Sequence, residues 1–251
     1  MNPLFQEEWP LGRGLVRIIV LSPSEFLEGT ARISHFIENP VFQGEQCTLQ
    51  EIQDYWSEQR GLLYESLFFG SNFSAADVQR FSATFPEGIR NPCESWFVRQ
   101  CNASRDLYFS ILRFPDSGDA SSIFQCEVTL KHELSHALYY LEPEYRKLIH
   151  DMWNLLPGYR REEIYDRYSH FYASHRVIDE WAAHILASFE WEQLNDLSGE
   201  SFLELKKRFW DSVDRERYLE TISFLNRSIL VHYPISAPEP PEASDVSSEA
   251  S

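Results

Sequence analysis

The chain has 251 residues, 43% of them hydrophobic and 15% aromatic, which is enough apolar material for a packed core and argues against a disordered chain. With 39 acidic against 22 basic residues the net charge is −17, a surface that repels nucleic acid and anionic membranes. No apolar run approaches the ~20 residues of a bilayer span.

The first fourteen residues show neither the basic nor the apolar region of a signal peptide, so the expected setting is the cytoplasm. Residues 14–21 (GLVRIIVL) are rich in β-branched side chains and read as a first strand. Ser22-Pro23-Ser24-Glu25 then offers a capping box with proline at the first helical position. Thr48 to Glu51 repeats that signature, and Ser74 to Asp77 gives it with the shorter acid. Asn91-Pro92-Cys93-Glu94 opens a fourth helix. Residues 106–114 (DLYFSILRF) alternate as a second strand, and 115–122 form a polar loop.

Beyond that loop the periodicity is helical. Helices are expected over 127–141, 143–156, 161–175 and 178–189, with two more around 202–213 and 215–230. From Pro234 onward Pro, Ser, Glu and Ala dominate without periodicity, the composition of a disordered tail. Four cysteines, at 47, 93, 101 and 126, form no CxxC pair and read as buried free thiols. The expected fold class is α+β. A mixed N-terminal part with few strands spans 1–125, a helical metal-binding part spans 126–233, and an acidic Pro/Ser-rich tail spans 234–251.

The chemistry is carried by His132-Glu133-Leu134-Ser135-His136, an HExxH motif. Residues four apart lie one above the other on a helix, so both imidazoles reach one ion and Glu133 can act as base toward a water beside it. Leu134 and Leu138 fall on the opposite side and anchor the helix in the core. Catalytic zinc takes three protein ligands, so a third is needed downstream. His150, His170, His175, Asp179, Glu180 and His184 are the candidates. Glu180 has the best context: it shares a helix face with Ala183, His184 and Ala187, and the alanines let two helices approach closely. Asp179 points ~100° away around that helix and cannot be a ligand together with Glu180. Its loss is therefore expected to matter much less to the metal.

HELSH at 132–136 and the downstream E-W-A-A from Glu180 resemble the zincin metallopeptidases, specifically the gluzincin branch. The resemblance covers about 75 residues, 106 to 180. It implies a Zn²⁺ cofactor held by His132, His136 and Glu180, with Glu133 as catalytic base and then acid. It also implies that the strand over 106–114 is the edge strand that pairs with an extended substrate. Position 184 is His where an aspartate often supports a metal-binding histidine in that family, which leaves such support unassigned. No HExxHxxGxxH extension follows, which sets the Met-turn zincins aside.

The implied reaction is peptide-bond hydrolysis on a peptide or protein substrate, with no nucleic-acid or membrane partner. Oligomeric state is not legible. Tyr168, Tyr172, His175 and His184 are candidates to donate a hydrogen bond to the developing oxyanion, and Tyr172 is preferred. Two other readings stand beside this one. They are a zincin-fold binding or regulatory protein with a non-catalytic metal site, and a metal-dependent hydrolase of a non-peptide amide.

Overall fold

A computed structural model describes residues 1–59, 61–62, 68–101, 107–187 and 199–233, so the tail from Pro234 lies outside the described residues. The fold is mixed α+β. Its sheet has the strand order β1-β2-β4-β3, with β1 Phe5–Leu11, β2 Gly14–Leu21, β3 Gly70–Ser74 and β4 Leu107–Arg113. The β1–β2 and β3–β4 pairs are antiparallel, and β2 runs parallel to β4.

β2 and β4 are buried on both faces and, apart from Arg17, Ser110 and Arg113, are apolar. Val16, Ile18, Val20, Tyr108 and Leu112 face one core, whereas Ile19, Leu21, Phe109 and Ile111 face a second. Each such burial contributes about 1.5–3 kcal/mol. The second core is closed by α1 (Pro23–Glu38), α2 (Leu49–Asp54), α3 (Ala75–Thr84) and α4 (Pro92–Cys101). The first is closed by α5 (Ala120–Leu141), α6 (Pro143–Leu155), α7 (Gly158–Tyr168), α8 (Val177–Ala187) and two last helices, Gly199–Ser212 and Arg215–His232.

The helix starts follow their caps. Thr48 and Ser74 close reciprocal capping boxes with Glu51 and Asp77, and Asn91 exchanges the equivalent pair of bonds with Glu94. The four cysteines are buried and free.

The structure departs from sequence expectation in four places. β1 was not expected, although Phe5, Trp9 and Leu11 share its inward face. β3 has no β-branched residue and forms through its pairing with β4, a case of tertiary context overriding propensity. β4 is consequently interior, flanked by β2 and β3, and cannot be the edge strand; the edges are β1 and β3, and β3 packs more extensively on α5 than β1 does. The helix expected over 161–175 ends at Tyr168, and a short 3₁₀ turn, Ser174–Arg176, leads into α8. The break is fixed by tertiary contact: the Ala173 backbone N–H donates to the Glu38 carbonyl, and Phe171 stacks on Trp56.

Among the described residues, no helix is long and apolar enough to cross a membrane.

Candidate metal centre

The HExxH segment lies in the second half of α5, a 22-residue helix started by the Asp119 side chain, which accepts from the Ser122 backbone N–H. Leu134, Ala137 and Leu138 are fully buried and seat the helix against the sheet. Ser110 on β4 pins its height by donating to the Glu133 carbonyl oxygen at 3.1 Å. With that face fixed, His132 and His136 project to the other side, and their Nε2 atoms stand 3.0 Å apart.

α8 is the principal helical neighbour of α5. Ala183 and Ala187 are buried, and their small side chains permit the close approach. Glu180 is 2% exposed, with Oε1 3.5 Å from His136 Nε2 and Oε2 3.6 Å from His132 Nε2. Nitrogen and oxygen ligands about 2.0–2.1 Å from a tetrahedral ion are separated by about 3.3 Å, close to each of these spacings, with the two histidines meeting different oxygens of the Glu180 carboxylate. Glu180 Oε2 is buried and accepts no hydrogen bond among the described residues, as a carboxylate oxygen awaiting a cation would be.

His184 joins the same cluster, because ligand atoms of His132, Glu180 and His184 lie within 4.8 Å of one another. Two overlapping triads thus share His132 and Glu180. In the one completed by His136, the two histidines approach Glu180 through different oxygens, His136 through Oε1 and His132 through Oε2.

Asp179 is not idle. Its Oδ1 lies 2.9 Å from His136 Nδ1, both side chains being buried. A proton on Nδ1 leaves the lone pair on Nε2, the atom that faces His132 and Glu180. The Arg176 guanidinium in turn lies 3.3 Å from Asp179 Oδ2 and 3.0 Å from Glu38. Burial by itself depresses the His136 imidazole, but the carboxylates of Asp179 and Glu180 outweigh it and push His136 up to about 10. The cluster therefore favours a positive charge. His132 and His184 are instead held neutral: burial lowers both, His136 lowers His132 further, and His132 lowers His184, to about 3.

Glu133 is 3% exposed and turned toward the edge strand, where its Oε2 accepts from Asn72 Nδ2 at 3.0 Å. Tyr108 on β4 donates its hydroxyl proton to Asn72 Oδ1 and fixes the amide orientation. The carboxylate packs so tightly on β3 that a Cβ at Gly70 would lie 2.1 Å from Glu133 Oε1. Burial and the Glu180 carboxylate push Glu133 up to about 8, although His136 opposes them. A bound divalent cation would act in the opposite direction.

A narrow cleft, with about 40 Å³ of room for water-sized molecules, opens beside this cluster. Its lining includes His132, Glu180 and Tyr172 together with Gly70, Ser71 and Asn72 of β3. Burial and three nearby carboxylates, Glu180, Glu38 and Glu133, keep the Tyr172 phenol protonated and a donor. The other candidates lie elsewhere. His150 Nε2 pairs with the Tyr139 hydroxyl at 2.9 Å, His175 Nδ1 faces Gln43, and His170 is exposed. Tyr168 is buried against His184.

Sequence reasoning placed His132, Glu133, His136, Glu180 and Tyr172, and the structure brings all five together. It missed Gly70, Asn72 and Tyr108 around Glu133, and the roles of Asp179, Arg176 and Glu38. The adjacent pair Asp179-Glu180 was the available signal: residues 100° apart can serve a ligand and that ligand's neighbour.

Compared with known proteins, the chain matches no family model, no curated protein sequence and no solved structure.

Proposed function

We propose that the chain is a zinc-dependent peptidase of gluzincin type. The observation that carries this reading is the convergence of His132 Nε2, His136 Nε2 and the Glu180 carboxylate within 3.0 to 3.6 Å, with the Glu133 carboxylate held beside them. Zinc suits a donor set of two imidazoles and one carboxylate; its binding would release the proton that Asp179 and Glu180 favour on His136, and it would supply Lewis-acid activation of water and carbonyl.

The chain's own groups supply the rest. Glu133 takes a proton from water and returns it to the leaving amine; Asn72 and the glycine backbone at position 70 hold it in place for both steps. Tyr172 donates a hydrogen bond to the developing oxyanion from the cleft wall. Asp179, held by Arg176, keeps the His136 Nε2 lone pair free. The edge strand β3, with Gly70, Ser71 and Asn72 on the cleft, offers backbone groups to an extended peptide. Intact Glu133, buried and hydrogen-bonded, speaks for catalysis over a binding role, because metal binding alone has no use for a base at that point.

The test is digestion of a mixed peptide library by zinc-loaded protein, read by mass spectrometry. Cleavage that a chelator abolishes and zinc restores is expected. A library left intact while simple non-peptide amides are hydrolysed would move the assignment to amidohydrolase chemistry.

A further inference from the structure

The two helices at the metal centre contribute in the same way. α5 presents His132 and His136 one turn apart, and α8 presents Glu180 and His184 one turn apart. Because α5 and α8 pack directly together, the two pairs face each other across one interface. His132 is central: its ring stands edge-on to His136 at 4.6 Å and to His184 at 4.7 Å between centroids. A nitrogen of His184 lies within 4.8 Å of ligand atoms on both His132 and Glu180.

From this arrangement we infer that His184 is a fourth protein ligand of the metal, so that the centre is built from three histidines and one glutamate. The inference rests on the metal-site reading above and extends it to a residue outside the gluzincin set. Position on the molecule makes it compatible with catalysis. His132, Glu180 and Tyr172 line the cleft, and His184 is not among the described residues that do. His184 sits behind, its ring 5.3 Å from that of the buried Tyr168. A ligand added from that side leaves the cleft side to water and substrate. With His184 bound, four protein ligands and one water would make the resting centre five-coordinate, the number that three-ligand catalytic zinc sites reach only in the transition state.

The competing role for His184 is packing alone, as a neutral imidazole filling space between Tyr168 and His132. Full-length protein loaded with Co²⁺ in place of zinc separates the two. Each cobalt-bound imidazole with a protonated second nitrogen gives one strongly shifted, solvent-exchangeable proton resonance, so the spectrum counts histidine ligands without reference to activity. Three such resonances in the wild type, falling to two in both His184→Ala and His184→Gln, are expected. His184→Gln fills most of the space and guards against a packing artefact. Two resonances in the wild type, unchanged in either variant, would overturn the fourth-ligand assignment while leaving the metal site standing. A wild type that takes up no cobalt, and so shows no shifted resonance, would overturn both.

Discussion

Asp179 Oδ1 lies 2.9 Å from His136 Nδ1, a charge contact that favours a proton on Nδ1 and so leaves Nε2 as the nitrogen turned to a metal. Partners of this kind typically contribute 10–100-fold to metal affinity. Asp179→Ala should therefore weaken zinc binding by about that factor, and Glu180→Ala by more, since it removes a proposed direct ligand. Competition with a chromophoric chelator ranks the two. If Asp179→Ala binds zinc more weakly than Glu180→Ala, the two roles have been exchanged.

The glycine at position 70 is set by close approach. A methyl group there would overlap Glu133 Oε1 and come within 2.7 Å of Thr129 Cγ2. Overpacking of this kind costs about 1–3 kcal/mol. Gly70→Ala should lower the denaturation midpoint modestly and reduce turnover far more, because the displaced group is the proposed base. Full activity in that variant would show that the Glu133 position seen here is not the working one.

His35 fixes a pH dependence of stability. Trp56 Nε1–H, which can only donate, donates to His35 Nε2 at 2.8 Å, so His35 Nδ1–H donates to the Ala31 carbonyl at 2.8 Å. Burial lowers the pKa of this imidazole from 6.5 to about 4. The unfolded chain thus takes up the proton first as pH falls. The contribution is complete above pH 6.5 and is lost between 6.5 and 4, to a total of about 3 kcal/mol. His35→Gln keeps an acceptor for Trp56 but cannot titrate. Urea denaturation at pH 7 and pH 4 should show the wild type losing about 3 kcal/mol more than the variant; equal losses would contradict the assignment.

Much of this was legible in the sequence, for local reasons. The run Gly14–Leu21 showed as a strand through its β-branched side chains and residues 106–114 through their alternation, and α1 to α4 showed through their caps. HExxH was legible because its chemistry depends on spacing within one helix. What depends on pairing between distant segments was not. β3 (GSNFS) has no strand-forming composition, and only the structure sets Asn72 opposite Ser110 and against Glu133. Without β3, β4 was assigned the edge. Glu38 and Arg176 are 138 positions apart, and each reads alone as an ordinary surface charge.

Tyr172 lines the cleft with its phenol held protonated. Tyr172→Phe should lower kcat with little change in KM, because the bond it makes strengthens only as charge develops on the oxyanion. A loss of about 10²–10³ in kcat is typical for one such donor. Steady-state kinetics on a peptide from the library would measure both constants. An effect on KM alone would place Tyr172 in substrate binding instead.

The central claim is that metal and base are separate parts of one hydrolytic site, and Glu133→Gln tests it most directly. Glutamine retains the shape and can still meet Asn72, and Glu133 is not among the proposed ligands, so zinc content should stay near one per chain. Peptide cleavage should fall by at least ~10²–10⁴, the usual contribution of a general base. Zinc by elemental analysis and cleavage rate, measured on the same preparation, decide the matter. Unchanged turnover with zinc in place would contradict the mechanism proposed here.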